Sequence, residues 1–342
     1  MGKPGSILIL KLSSLGDVVH ALPLASALKG NIPGLRLGWV VQKGFSEIVE
    51  NHPAVDDVFI FERSRGSIAS IKNYFCLIRE IRRKKYDIII DLQGSMKSAA
   101  FVMLGGARSM GFKRGSSRVD PASTLFTGFK VEEPGGHIVE RYLAFARVLG
   151  VKDLHPDFNL KAEEQASQDA ARFLEKNGLG GKKIVIMHPG AAWKTKIWPA
   201  GNYIKLINMI YDKMPWAGVV ITAGGGEEEA AAAIKAKCAG APALAAGLSL
   251  DGLAALIDRC DVFIGSDSGP LHLAAALDKR VLGLYGPTDQ ARNGPFCKNS
   301  VVLKSRRKCA GCWKRTCPDN ECMEDIKPED VFKELEMTAG NA

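Results

Sequence analysis

The sequence predicts an α/β protein made of two Rossmann-like units, each a parallel sheet covered by helices. Three observations predict it. Short runs rich in β-branched residues alternate with longer amphipathic segments, and such alternation argues for parallel strands buried on both faces. The alternation occurs twice. Several of the strand-like runs also end in polar, glycine-bearing turns that open a helix, the usual place for a ligand in an open α/β sheet. At 342 residues the chain has the length of about two domains.

In the first half, strands are expected over 6–12, 35–41, 58–61 and 86–92, with helices over 18–29, 45–51 and 68–84. In the second half, strands over 183–188, 218–223, 261–264 and 280–284 are separated by helices over 202–213, 227–238 and 250–259. The boundary falls between 150 and 182, which gives domains over 1–165 and 166–325 and a closing segment over 326–342. Its helix, over 328–337, is expected to pack back on the first domain. A binding cleft between the two domains follows from the strand-end rule.

Composition narrows the class. A hydrophobic content of 46% supplies two cores. No apolar run approaches the roughly 18 residues of a membrane span, and Lys11 cuts the first one short, so a cytoplasmic protein is expected. The net charge of +9 favours acidic partners: a phosphorylated substrate, an anionic membrane face or nucleic acid. Basic residues gather at Arg79, Arg82, Arg83, Lys84 and Lys85, where a helix end also suits them, and again from Lys304 to Arg315.

The chemistry collects at turns. After the strand over 261–264, Ser266 or Ser268 can cap a helix whose first turn holds Pro270 and His272, and free N–H groups around Gly269 suit phosphate. His188-Pro189-Gly190 exposes backbone, and Lys194 and Lys196 follow it. Glu227, after three glycines, can accept from ribose hydroxyls. In the first half, Ser13-Ser14-Leu15-Gly16-Asp17 opens a helix, with Asp17 readable as a cap or as a base. Walker and Gly-x-Gly-x-x-Gly motifs are absent, which argues against ATPase and dehydrogenase chemistry.

Cys309, Cys312, Cys317 and Cys322 fall as C-x2-C-x4-C-x4-C, compact enough for one structural zinc ion. With their basic flanks they also admit a nucleic-acid-binding tail as the alternative function.

Together the turn at 13–17, Asp91-Leu92-Gln93-Gly94, Lys196-Ile197-Trp198-Pro199, Asp267 to His272 and Tyr285 to Asp289 resemble glycosyltransferase family 9, and within it the ADP-heptose:lipopolysaccharide heptosyltransferases. The resemblance implies a GT-B fold and an inverting transfer of heptose from ADP-heptose to a Kdo residue on lipid A, at the cytoplasmic face of the inner membrane. Asp17 is then the general base and Lys196 the cation that meets the diphosphate. Ser268, Gly269, Pro270 and His272 form the phosphate-binding helix start, with Pro270 removing one donor. Glu227 is placed at the ribose and Asp267 near the sugar hydroxyls, while Ser14, Gly16 and Arg141 belong to the acceptor side. No cofactor is required for catalysis. A different sugar nucleotide or a second-heptose acceptor remains open within the family.

Overall fold

The computed structural model describes residues 4–62, 68–116 and 119–339, which divide into two compact units, Met1–Leu160 and Lys161–Ala342. The first unit holds β1 (Ser6–Leu10), β2 (Arg36–Gln42), β3 (Asp57–Phe61), β4 (Ile88–Asp91), β5 (Arg108–Phe112) and β6 (Phe129–Val131). They form one parallel sheet in the order β3-β2-β1-β4-β5-β6. The second holds β7 (Lys183–His188), β8 (Ala217–Ala223), β9 (Ala243–Ala246), β10 (Val262–Ser266), β11 (Arg280–Tyr285) and β12 (Ser300–Lys304). Their order, β12-β11-β10-β7-β8-β9, is the same doubly wound topology read from the other edge.

The central strands are apolar along their whole length because helices cover both faces. Ile7 to Leu10, Ile88 to Ile90 and Ile184 to Met187 are all buried. In each unit the first strand lies beside the fourth, with Leu10 opposite Asp91 and His188 opposite Gly265. The chain leaves these neighbouring strands in opposite directions across the sheet. That opens a crevice at their carboxyl ends, where ligands bind in this topology.

Two strands in each unit lie outside the sequence expectation. β9 reads Ala-Leu-Ala-Ala and β6 has only three residues, so neither carries a β-branched run, and both sit at a sheet edge. The closing helix, Pro328–Ala339, differs too. It packs on the helix Ala200–Lys213 of the second unit and buries Val331, Phe332 and Leu335 in that unit's core, where it was expected on the first domain. Burying side chains of this size stabilises by about 1.5–3 kcal/mol each. Lys205 pairs with Glu329, and Lys213 lies over the Phe332 ring at 5.2 Å, at the same seam.

Candidate active site

In the first unit the chain leaves β1 through Lys11 and enters the helix Leu15–Asn31. Ser14 takes the N-cap position, so Asp17 is the third residue of the helix, not its cap. The Asp17 carboxylate reaches back to accept from the Ser14 N–H at 3.2 Å and the Ser14 hydroxyl at 3.0 Å. This reciprocal arrangement fixes the carboxylate at the positive end of the helix while leaving its side chain 24% exposed. Gly16 is buried in the same turn.

Beneath Asp17 lies Lys11, buried, with its ammonium 4.0 Å from the Asp17 carboxylate and donating to the Leu92 carbonyl at 3.3 Å. Burial favours the neutral amine, but attraction to Asp17, Tyr142 and Asp91 outweighs it and raises the Lys11 pKa. Gln93 ties the neighbouring loop to this one by accepting from the N–H groups of Leu12 and Ser13. Asp91 accepts from the N–H groups of Gln93 and Gly94, each at 3.0 Å, and from the Ser98 hydroxyl at 3.0 Å. Arg141 is spoken for within the unit, pairing with Glu133 and donating to the Gly136 carbonyl at 2.9 Å.

In the second unit β10 runs into Asp267 and the N-cap Ser268, and the helix Gly269–Ala276 follows. The N–H groups of Gly269 and Leu271 have no carbonyl within the helix to bond, and Pro270 brings none. Ser268 and Thr288 carry buried hydroxyls with no hydrogen-bond partner among the described residues. The Ser268 hydroxyl and the free N–H groups of this helix start are receptors for a phosphate.

The same turn holds a charged cluster. Lys196 donates to the Asp267 carbonyl at 2.5 Å and approaches its carboxylate at 3.2 Å, while His272 Nε2 lies 2.8 Å from the other carboxylate oxygen. Asp267 is only 4% exposed. Burial alone would raise its pKa. The His272 hydrogen bond and the Lys196 charge outweigh that cost and hold the carboxyl well below the usual range. Lys196 also stands 4.9 Å over the Trp193 ring, and the turn that carries it is anchored by Trp198, fully buried, whose indole donates to the Ile326 carbonyl at 2.9 Å.

Glu227 stands at the N-cap position of the helix Glu228–Lys237 without capping it, and its carboxylate accepts instead from the Gly224 N–H at 2.9 Å, with His188 Nε2 3.5 Å away. A Cβ on Gly190 would fall 2.1 Å from the Glu227 carboxylate, so glycine is required there for the carboxylate to take this place. Burial lowers the His188 pKa against the pull of Glu227, which leaves a neutral imidazole beside a carboxylate that is 30% exposed.

The cysteine segment leans on this site. Gly311 and Trp313 donate to the carbonyls of Gly286 and Pro287, the Lys314 carbonyl accepts from the Thr195 hydroxyl at 2.9 Å, and the Trp313 ring lies edge-on to Trp193 at 6.1 Å. Cys309, Cys312, Cys317 and Cys322 are free thiols. Burial first, then the charges of the other three, raise the Cys322 pKa. Among the described residues no three His, Cys, Asp or Glu side chains are placed to hold a metal ion.

Of the residues expected from sequence, Lys196, Asp267, Ser268, Gly269, Pro270 and His272 come together at one turn. Ser14, Gly16 and Asp17 come together at another, and Glu227 borders the Gly190 loop. Gln93 and Thr288 stand inside motifs quoted from the sequence but are given no role there, and Lys11 and Trp193 are given none either. Lys11 read only as the end of an apolar run, and nothing local marks it as buried.

The model of glycosyltransferase family 9 (heptosyltransferase) matches residues 74–323. Lipopolysaccharide heptosyltransferase 1 of Pseudomonas aeruginosa is 33% identical over 346 residues, 96% of this chain and 92% of that protein. Among solved structures, the E. coli heptosyltransferase WaaC with ADP is 27% identical with a TM-score of 0.78, covering 97% of this chain and 99% of that one. A family 9 glycosyltransferase from Veillonella parvula shares the fold at a TM-score of 0.85 and 22% identity, over 98% of this chain and 97% of its own.

Proposed function

The chain belongs to glycosyltransferase family 9, the heptosyltransferase family, and we propose that it moves heptose from ADP-heptose to a Kdo residue of the lipopolysaccharide inner core with inversion. In this single displacement the acceptor hydroxyl oxygen bonds to the anomeric carbon as the bond from that carbon to the β-phosphate oxygen breaks. The hydroxyl proton passes to the Asp17 carboxylate, and the electron pair of the broken bond leaves with ADP. Asp17 suits the task because its side chain is partly exposed, at 24%, and fixed by Ser14.

The observation that carries the reading is the turn at 266–272. A held ammonium, a helix start and the unfilled Ser268 hydroxyl are what a departing diphosphate needs. Each well-placed donor of this kind is typically worth about 3–4 kcal/mol in the transition state. Asp267 positions Lys196 and His272 in this reading, and Glu227 takes the ribose. Ser14, Gly16 and Arg141 remain the assigned acceptor side.

No metal takes part in the transfer. The four cysteines are the candidate ligands of a structural zinc, which requires the segment to draw its thiols together. Elemental analysis of the purified protein decides this: about one zinc per chain keeps the assignment, and none removes it.

The test of function is a transfer assay with a panel of sugar nucleotides against de-acylated Kdo-containing lipid A. Turnover with ADP-heptose and a Kdo-linked product is expected. Turnover only on an acceptor already carrying heptose would move the enzyme one step along the core, and turnover with no sugar nucleotide would overturn the reading.

A further inference from the structure

The helix Met96–Leu104 is apolar on both sides. Its inner side buries Ser98, Ala99, Phe101 and Val102, as a core-facing helix does. Its outer side carries Met96, Met103 and Leu104 with Ala100 between them, at the i, i+4, i+7 and i+8 positions of one face. Met96 is 51%, Met103 58% and Leu104 38% exposed. A helix apolar all round is normally covered.

The face is wider than one helix. Tyr74 packs on Phe101 at 4.7 Å and donates to the Lys97 carbonyl at 2.8 Å, which holds the helix Ile68–Lys84 alongside. The next residue, Phe75, is 56% exposed. On the other flank the short turn Ser123–Leu125 lies against the same helix and presents Leu125, 76% exposed.

Cations border this ridge. Arg82 lies over Gly106, just past the end of the apolar helix, where a Cβ would meet its stem at 3.5 Å. Arg79 lies one helical turn from Phe75 and close to one turn from Arg82, and Lys97 sits on the apolar helix itself. The neighbouring acidic residue, Glu80, lines a hollow with Glu62, Asn73 and Tyr74, beside Lys43. Apolar side chains bordered by arginine and lysine fit an anionic lipid surface, whose interface takes the apolar tips while the cations meet the headgroups. Among the described residues no helix is long and apolar enough to cross a membrane, so lipid contact needs such a face.

We propose that the ridge formed by Phe75, Met96, Met103, Leu104 and Leu125, with Arg79, Arg82 and Lys97, docks the first unit on an anionic bilayer. The proposal deepens the reading of a lipid-linked acceptor and rests on it for its setting, while its test uses neither donor nor acceptor.

The full-length protein is sedimented with vesicles of phosphatidylethanolamine and phosphatidylglycerol, and with phosphatidylcholine vesicles as the uncharged control. The wild type is expected to partition at least tenfold more strongly onto the anionic vesicles. Met103→Glu with Leu125→Glu is expected to remove that partitioning. Arg79→Gln with Arg82→Gln is expected to weaken it by roughly 10–30-fold at low salt, about fivefold for each cation, and both variants should keep wild-type transfer to a de-acylated soluble acceptor. Unchanged vesicle binding in both variants would overturn the proposal, as would a concentration-dependent dimer that the glutamates abolish. Failure of the wild type to transfer heptose to the soluble acceptor would instead overturn the function and leave the vesicle result standing.

Discussion

Asp91 and Asp267 stand at the carboxyl ends of the fourth strands of two sheets with the same topology, and both are almost fully buried, at 2% and 4% exposure. Their carboxyls shift in opposite directions. Burial dominates at Asp91 and raises its pKa despite two backbone N–H groups, a serine hydroxyl and the more distant Lys11. At Asp267 burial is outweighed by His272 and Lys196, and the pKa falls. Hydrogen bonds from neutral groups leave the desolvation of a buried carboxylate uncompensated here, whereas a cation in direct contact reverses it. The second unit uses its buried carboxylate to hold the Lys196 ammonium, which the proposed mechanism places where a diphosphate departs. On the proposed mechanism the first unit leaves Asp17, whose side chain is 24% exposed, to meet a proton.

The widest expected separation between the two units comes from Asp17→Asn. The amide keeps an acceptor for Ser14 but cannot take the proton, so kcat should fall by about 10²–10⁴. ADP affinity, measured by calorimetry, should stay within about twofold because the variant changes no donor group in the second unit. Equal losses in rate and ADP affinity would show that Asp17 does not act as a base.

Asp267→Asn tests the other side of the comparison. It leaves Lys196 without its counter-charge and disturbs the His272 hydrogen bond, and breaking a buried pair of this kind costs roughly 3–5 kcal/mol. Denaturant unfolding followed through the buried Trp198 reads the loss. ADP affinity should drop about tenfold as Lys196 loses its place, a change of about 1.4 kcal/mol. The pH dependence has a definite sign. Because the native carboxyl is depressed, the unfolded chain binds the proton more readily, so the Asp267 contribution is complete above the unfolded value of about 4 and lost as pH falls below it. Full stability of the variant at neutral pH would mean the cluster contributes nothing to holding the turn.

Lys196→Ala removes the cation and leaves the partnership with His272 intact, so a smaller loss of stability is expected, about 1–3 kcal/mol. Both ADP affinity and kcat should fall. An unchanged ADP affinity would take Lys196 out of the donor site.

Much of this was legible because each cue was local. The strands Ile7 to Leu10 and Ile184 to Met187 announce burial on both faces, and Ser268, Gly269 and Pro270 announce a helix start within three residues. What escaped depends on partners far apart in the chain. Lys196 meets Asp267 across 71 positions, and no pattern around either residue records the contact. Lys11 is charged by groups on other elements, and the edge strand Ala243–Ala246 is held by its ladder to β8, not by its own propensity. The closing helix carries an apolar stripe that fits any groove of the right width. Only packing chose the second unit.

The smallest expected effect, and the sharpest test of the contrast, is Asp91→Asn. The amide oxygen can accept from the Gln93 and Gly94 N–H groups as Oδ1 does now, and its nitrogen can face Ser98 in place of Oδ2. The substitution removes a charge that burial already disfavours, so the change at neutral pH should be under about 1 kcal/mol in either direction. Its sign depends on pH. With the native pKa raised, the folded chain binds the proton more readily, so the wild type loses stability as pH rises from about 4 through that raised value. The variant carries no such term, so its stability relative to wild type should improve as pH rises. Unfolding curves at pH 5 and pH 8 read the difference, and a loss near that of Asp267→Asn would mean that Lys11 needs the Asp91 charge as Lys196 needs that of Asp267.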